Sequence, residues 1–93
     1  MTANLILLTE VYKLKTTQGQ QRYSLREVFL NRDYVVSLRD DARMLDEFEK
    51  GYLPENLDEK QNFTKIVLSS GSTSSGVSVV GSVFSIAEKV GKK

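Results

Sequence analysis

The chain has 93 residues, of which 40% are hydrophobic and 27% are charged, and its formal net charge is +1. This size and balance predict a single soluble domain over residues 1–93 with one small core and no second. The chain has no histidine, cysteine or tryptophan, which excludes imidazole bases, thiolate nucleophiles, disulfides and zinc sites built from those ligands. A net charge this close to zero gives no general attraction to nucleic acid or to an anionic membrane.

The charge is unevenly spread along the chain. Residues 1–39 carry a net charge of +3, residues 40–62 carry −5, and residues 63–93 carry +3. The acidic block predicts a helical insertion, residues 41–62, between the third and fourth strands. The apolar run Leu5–Leu8 is too short for a signal peptide or for a membrane-spanning helix of about 20 residues, so we expect a cytoplasmic protein without membrane contact.

Two strands are predicted before residue 31. A short apolar run followed by alternation indicates a strand over Leu5–Lys15, and a turn containing Gly19 follows it. A second strand is predicted over Arg22–Leu30. Its polarity reverses at Val28 and Leu30, which indicates either a bulge or a strand that is covered on both faces.

A tight turn at Asn31–Asp33 leads to a third strand, in which alternation places Tyr34, Val36 and Leu38 on one face. The insertion begins with a short helix of about ten residues. Its N-cap is Asp40 or Asp41, its apolar face is Met44, Leu45 and Phe48, and its C-terminal stop is Gly51.

The last third of the chain predicts a hairpin and a helix. The fourth strand is Phe63–Ser69, with Thr64, Ile66 and Leu68 on one face, and the fifth is Val77–Val80. Between them, Ser69–Gly76 is predicted as a polar, low-complexity loop. Ser82 is the predicted N-cap of a final helix ended by Gly91, whose apolar stripe is Val83, Ile86, Ala87 and Val90.

This element order predicts a mainly β fold. We expect a small Sm-like or SH3-like five-stranded antiparallel barrel with a helical insert and a C-terminal helix. Rolling the sheet into a barrel removes strand edges that would otherwise pair with other chains.

Several segments resemble the short flagellar proteins of the FlbD type. Those proteins have a strand ending in Leu-Asn, a Thr-x-Ile-x-Leu-x-x-Gly strand, a valine-rich strand and a terminal helix that opens with serine. The matching residues are Glu27–Asn31, Val35, Val36, Leu38, Thr64–Leu68, Gly71, Val77–Val79 and Ser82–Val90. The pattern is mostly hydrophobic spacing, so the resemblance supports the fold more than a flagellar role.

The whole chain is also similar to uncharacterised Sm-like small-barrel proteins of marine metagenomic and phage origin. True Sm proteins form rings on uridine-rich RNA, begin with a helix and carry a basic residue before glycine in the turn that precedes the last strand. Here that turn is rich in serine without a basic residue, and the helix is at the end. The resemblance therefore implies the small-barrel fold without the RNA-binding signature.

The carboxylates and the glycine-rich loop do not predict an enzyme. Asp40 and Asp41 fit an N-cap, and the cluster Asp46, Glu47 and Glu49 fits a solvated helix face. The Gly71–Gly76 loop lacks the lysine of a phosphate-binding loop and precedes a strand. We expect no catalytic residue, metal, cofactor or small-molecule substrate.

A basic patch on the first hairpin is the strongest hint of a ligand. If the two strands pair, we expect four residues to share a surface: Lys13, Lys15, Arg22 and Arg26. With Tyr12 and Tyr23 nearby, such a surface suits RNA or single-stranded DNA. The alternative is an ordinary solvent face, which Glu10 and Glu27 in the same strands favour.

Apolar residues on both sides of several strands indicate self-association, because a two-faced strand needs two apolar environments. The neighbouring pairs are Val28 and Phe29, Val35 and Val36, Ile66 and Val67, and Val79 and Val80. The final helix can cover one sheet face, and the insert or another copy can cover the other. The sequence therefore predicts a non-enzymatic, homo-oligomeric interaction module that also uses strand edges, with nucleic-acid binding as the alternative.

Overall fold

The computed structural model of the chain describes residues 4–14, 22–54, 57, 61–70 and 73–91. The elements in chain order are β1 (Leu5–Leu14), β2 (Arg22–Asn31), a 3-10 turn (Arg32–Tyr34), β3 (Val35–Asp40), α1 (Ala42–Glu49), β4 (Phe63–Ser70), β5 (Thr73–Val80) and α2 (Val83–Gly91). All five strands belong to one antiparallel sheet. The predicted mainly β fold, with one inserted helix and one C-terminal helix, is confirmed.

The sheet has the strand order β2-β1-β5-β4-β3, so β2 and β3 are its two edges. This sheet is not closed into a barrel, so the five-stranded barrel predicted from the sequence is not confirmed. The edges are nevertheless joined by the three-residue turn Arg32–Tyr34, which spans at most about 14 Å between the strands. A flat sheet of five strands is about 19 Å wide. The sheet must therefore curl until its edges converge at that turn.

The core is divided into two clusters on opposite faces of the sheet. The α2 cluster is Ile6, Leu8, Leu30, Ile66, Val79 and Ile86. The α1 cluster is Val11, Met44, Leu53 and Phe63, with the rings of Phe48 and Phe63 packed edge to face at 5.5 Å. The single core predicted from chain length is thus replaced by two smaller ones.

The hairpin β1–β2 contributes to both clusters without a bulge. Its register is unbroken from Leu5↔Asn31 to Leu14↔Arg22. Leu8 lies in the α2 cluster and Val11 in the α1 cluster, and two residues three apart on a strand point to opposite faces. Of the two alternatives left by the sequence, the two-sided strand is the one that forms.

The predicted alternation of β3 is wrong. The register with β4 shifts between Val35 and Ser37, and this irregularity adds one residue to the strand. Val35 and Leu38 therefore both pack on the α2 cluster, while Val36 is 64% exposed. Hydrophobicity alone does not reveal a bulge, because valine suits either face of a strand.

Helix α1 is anchored to the sheet by the side chain of Asp41. Its Oδ1 accepts a hydrogen bond from the Met44 amide at 3.1 Å, and its Oδ2 accepts one from the Ser78 hydroxyl at 2.6 Å. Gly51, at a φ of +83°, follows the helix, in the left-handed region that glycine tolerates best. Of the two predicted N-caps, Asp40 and Asp41, the one that forms is Asp41. The predicted stop and a helix in the insertion are confirmed.

The serine-rich segment is mostly strand and not loop. Pairing between β4 and β5 continues through Ser69↔Ser74 to Ser70↔Thr73, so most of the predicted Ser69–Gly76 loop belongs to a ladder. Only 71–72 lie between the strands, outside the described residues. Backbone pairing satisfies N–H and C=O groups whatever the side chains are. The serine-rich composition therefore predicted a loop where the structure has paired strands.

Helix α2 covers the α2 cluster. Ser82 caps it as predicted, since its Oγ accepts a hydrogen bond from the Ser85 amide at 3.1 Å. Ile86 is 1% exposed, whereas Phe84 is 85% exposed, and Ala87 also faces solvent. The apolar stripe is therefore narrower than predicted. Within the described part of the chain, neither helix has the length and hydropathy needed to span a membrane.

Candidate functional site

The basic residues of the first hairpin do not all share a face. Lys13 lies opposite Tyr23, and Arg26 lies opposite Glu10. Paired residues share a face and successive residues alternate, so Lys13 projects to one side while Arg22 and Arg26 project to the other. Lys15 lies outside the described residues. The structure thus brings two of the four predicted residues together and separates Lys13 from them.

Arg26 is held by its neighbours on β1. Its Nε donates a hydrogen bond to Glu10 Oε1 at 2.8 Å, and its guanidinium carbon lies 4.4 Å from the centre of the Tyr12 ring. The hydrogen bond from Arg26 to the Glu10 carboxylate, and then the charge of that carboxylate, raise the pKa of Arg26 above its ordinary value. Its positive charge is therefore largely offset by Glu10, which weakens it as a phosphate ligand.

Tyr23 packs on the α1 cluster, on the sheet face opposite Arg22 and Arg26. Its side chain packs beside Leu25 on that cluster, and its backbone N–H donates to the Tyr52 carbonyl at 3.1 Å. Burial, and secondarily the negative charge of Glu47, raise the pKa of the Tyr23 hydroxyl. The sequence placed Tyr23 near the basic patch because it could not show that the insertion folds back over β2.

The acidic residues of α1 have different environments. Asp46 Oδ2 pairs with Lys50 Nζ at 3.0 Å and is exposed, as a solvated helix face requires. Glu47, predicted on that face, is instead buried at 9% exposure, and its Oε2 has no hydrogen-bond partner among the described residues. No group of three His, Cys, Asp or Glu side chains in the described ranges is arranged to hold a metal ion.

A cavity of about 280 Å³ lies beside the turn that follows β2. Its lining is Phe29, Leu30, Asn31, Tyr34, Leu68, Ser69, Thr73 and Ser75. None of these side chains carries a charge. No local pattern could have predicted the cavity, because its walls come from β2, the 3-10 turn and the β4–β5 hairpin.

An apolar patch of Leu5, Leu7 and Phe29 is exposed on the hairpin. Leu7 and Phe29 are cross-strand partners, 46% and 64% exposed, and Leu5 is 38% exposed. The patch is on the same sheet face as Val11 and Leu25, which α1 and Leu53 cover. We call Leu5, Leu7 and Phe29 the hairpin patch. The sequence predicted a strand over Arg22–Leu30, but it did not indicate which end of this face is covered.

No family model matches this chain, and neither a curated protein nor a solved structure matches it.

Proposed function

We propose that this protein is a non-enzymatic interaction module of Sm-like or SH3-like type, acting in the cytoplasm by associating with further copies of itself. The observation that carries the proposal is Phe29, which is 64% exposed on an edge strand of ten residues. Support for the fold type comes from β1, which pairs with both β2 and β5, and from the short turn that joins the two edges.

The edge β2 is better suited to association than the edge β3. An edge strand presents backbone N–H and C=O groups that can pair with another chain. Strand β3 has six residues and a register shift at Val36, and bulges discourage further pairing. Strand β2 has ten residues in unbroken register. Among the described residues, the backbone bond from Tyr23 to Tyr52 occupies the first part of this edge.

The hairpin patch supplies apolar surface next to that edge. Burying a large apolar side chain stabilises an association by about 1.5–3 kcal/mol. Phe29 is 64% exposed and Leu7 is 46% exposed, so both have apolar surface that an association can bury. A stable interface buries about 800 Å² per partner, which is roughly an eighth of the 6664 Å² that the chain exposes. A net charge of +1 opposes self-association only weakly.

The mass of the particle in solution tests this proposal. We expect light scattering to give a mass above the 10.5 kDa of one chain that rises with protein concentration. Phe29→Ser removes the apolar contact, so it should shift the protein to monomer, with at least a tenfold weaker association, as expected for a loss of about 1.4 kcal/mol or more.

Val36→Ser is the matched control. Val36 has the same 64% exposure, on the other edge strand, and the substitution also replaces a β-favouring apolar residue with serine. It should leave the mass unchanged. A wild-type protein that stays monomeric at high micromolar concentration would contradict the proposed self-association.

Binding of RNA or single-stranded DNA is the second candidate, supported by one face of the hairpin. Exposed Arg22, Arg26 and the Tyr12 ring project to the same side, and basic residues with aromatic rings suit single-stranded nucleic acid. In fluorescence anisotropy with a labelled oligonucleotide at low salt, Arg22→Glu should weaken binding and added salt should weaken it further. Lys13→Glu, on the opposite face, should change binding much less. The absence of any binding at low salt would remove this candidate.

A further inference from the structure

Three basic side chains lie on the sheet face that α1 partly covers. Val11 and Phe63 belong to the α1 cluster, and side chains two residues apart on a strand share a face. Lys13 and Lys65 therefore lie on this face, and so does Arg39, which is the cross-strand partner of Lys65. Lys13 and Arg39 are exposed, and Lys65 is half-buried. We call Lys13, Arg39 and Lys65 the cationic face.

The charges of the cationic face are not neutralised by the protein. In the part of the chain that the structure describes, no ion pair includes one of its members. Asp41 approaches it, but its Oδ1 caps α1 and its Oδ2 accepts a hydrogen bond from Ser78, the cross-strand partner of Lys65. Lys65 and Arg39 lie directly opposite each other, and like charges in that position are destabilising. A bound anion would relieve this repulsion.

The side chain of Lys65 extends over Gly76 of β5. A Cβ atom at Gly76 would lie 2.6 Å from Lys65 Cε and 3.2 Å from its Nζ, so this position of the ammonium group requires a residue without a side chain. Gly76 is two residues from Ser78 along β5, and Lys13 is two residues from Val11, the partner of Ser78, along β1. Both steps run in the same direction. Lys13 and Lys65 therefore approach the glycine from the two neighbouring strands.

The chemistry of this surface favours phosphate groups over nucleobases. Lysine binds phosphate as a point charge, and arginine binds it through a planar fork of N–H groups. Ser37 and Ser74 lie on the same face, and serine hydroxyls donate further hydrogen bonds to such oxygens. Binding of single strands also uses aromatic rings on which bases stack. The ring opposite Lys13 is Tyr23, which packs on the α1 cluster instead.

We infer that the cationic face binds a short chain of phosphate groups without bases, a polyphosphate. Lys13 and Lys65 hold one end of the chain beside Gly76, and Arg39 holds the other. The three residues lie across the adjacent strands β1, β5, β4 and β3, a width of about 14 Å, which suits a linear polyanion better than a single phosphate. This surface is separate from the hairpin patch, and it is opposite the face of Arg22 and Arg26.

Titration calorimetry with tripolyphosphate tests this inference. At low salt the wild-type protein should bind tripolyphosphate more tightly than inorganic phosphate, and added salt should weaken the binding. Lys65→Gln should weaken it about tenfold, as expected for the loss of one charge-assisted hydrogen bond. Arg22→Gln is the matched control, because it removes the same charge from an exposed residue on the opposite face. It should change the affinity much less.

Gly76→Ala tests the geometry without changing the charge. Its Cβ atom must displace the end of the Lys65 side chain, which is flexible enough to move without loss of the fold. Binding of tripolyphosphate should therefore weaken severalfold, while the urea unfolding midpoint changes little. An affinity for tripolyphosphate that Gly76→Ala leaves unchanged would contradict the inferred position of the phosphate beside Lys65.

Two further results would overturn the inference. The first is a wild-type protein that does not bind tripolyphosphate at low salt, or that loses affinity equally in Lys65→Gln and Arg22→Gln, since equal losses indicate a general charge attraction. The second is a labelled oligonucleotide whose binding is lost in Lys65→Gln, which would assign the cationic face to nucleic acid. Neither result bears on self-association, which light scattering tests separately.

Discussion

At the scale of single residues, Asp41 connects the insertion to the sheet. One carboxylate oxygen caps α1, and the other accepts the Ser78 hydroxyl hydrogen bond. The first role follows from local sequence, because an aspartate before an apolar helix face is a common N-cap. The second role depends on β5 lying next to the start of α1, which the sequence around residue 41 does not indicate.

Replacing Asp41 should destabilise the fold measurably. Asp41→Ala removes a helix cap, usually about 1 kcal/mol, together with the hydrogen bond from Ser78, and we expect a total loss of about 2 kcal/mol in the free energy of unfolding. Asp40→Ala is the control, because Asp40 is the exposed neighbour with the same charge, and it should cost less than about 0.5 kcal/mol. Urea unfolding measures both, and equal losses would contradict the role of Asp41.

The basic residues show how much of the candidate site depends on register. Alternation correctly put Arg22 and Arg26 on one face of a strand, and the observed pairing agrees. It could not relate that face to the face of Lys13, since this depends on which residue of β1 meets which residue of β2. A shift of one residue in the pairing would have reversed the result.

At the scale of elements, α2 shows what periodicity can predict. The spacing of its apolar residues and Ser82 correctly indicated a capped amphipathic helix. The angle at which it approaches the sheet is constrained by Gly81, whose φ is +127° and where a Cβ atom would lie 3.1 Å from Ile86 Cδ1. Ile86 is buried at this close approach, whereas Phe84 faces solvent.

Two substitutions in α2 should therefore differ strongly. Ile86→Ala leaves a hole in the α2 cluster, where such truncations cost about 2–5 kcal/mol. Phe84→Ala removes more atoms, but from a side chain that is 85% exposed, and should cost about 0.5 kcal/mol or less. Chemical unfolding of the monomeric protein measures both effects. A larger loss for Phe84→Ala would mean that α2 docks through a different face.

Strand ends were the least predictable feature of the elements. The core-facing positions Thr64, Ile66 and Leu68 were correctly assigned to one face of β4, because burial on one side leaves a period of two. The continuation of β4 and β5 through serines was missed, since these residues pair by backbone hydrogen bonds without burying side chains.

At the scale of the whole molecule, the sheet has a narrow junction. Among the described residues, the ladder between β1 and β5 has two residue pairs, Glu10↔Val79 and Val11↔Ser78. Around this junction, α2 covers one sheet face and α1 covers part of the other. The hairpin patch remains exposed to solvent, next to the edge of β2. This placement is the reason that Phe29, and not the more exposed Phe84, is the residue whose replacement should abolish self-association.

The sequence by itself determined the kind and order of the elements, the cap residue Ser82, the pair Asp40 and Asp41 from which the first cap comes, and the absence of histidine and cysteine chemistry. These depend on neighbours within a few positions, where periodicity, capping and side-chain chemistry act directly. Only the tertiary structure decided that the sheet stays open, that its core is divided, that Lys13 lies apart from Arg22 and Arg26, and that Phe29 stays exposed. Those features depend on strand order and register, which arise from contacts between residues distant in the chain and leave no local pattern.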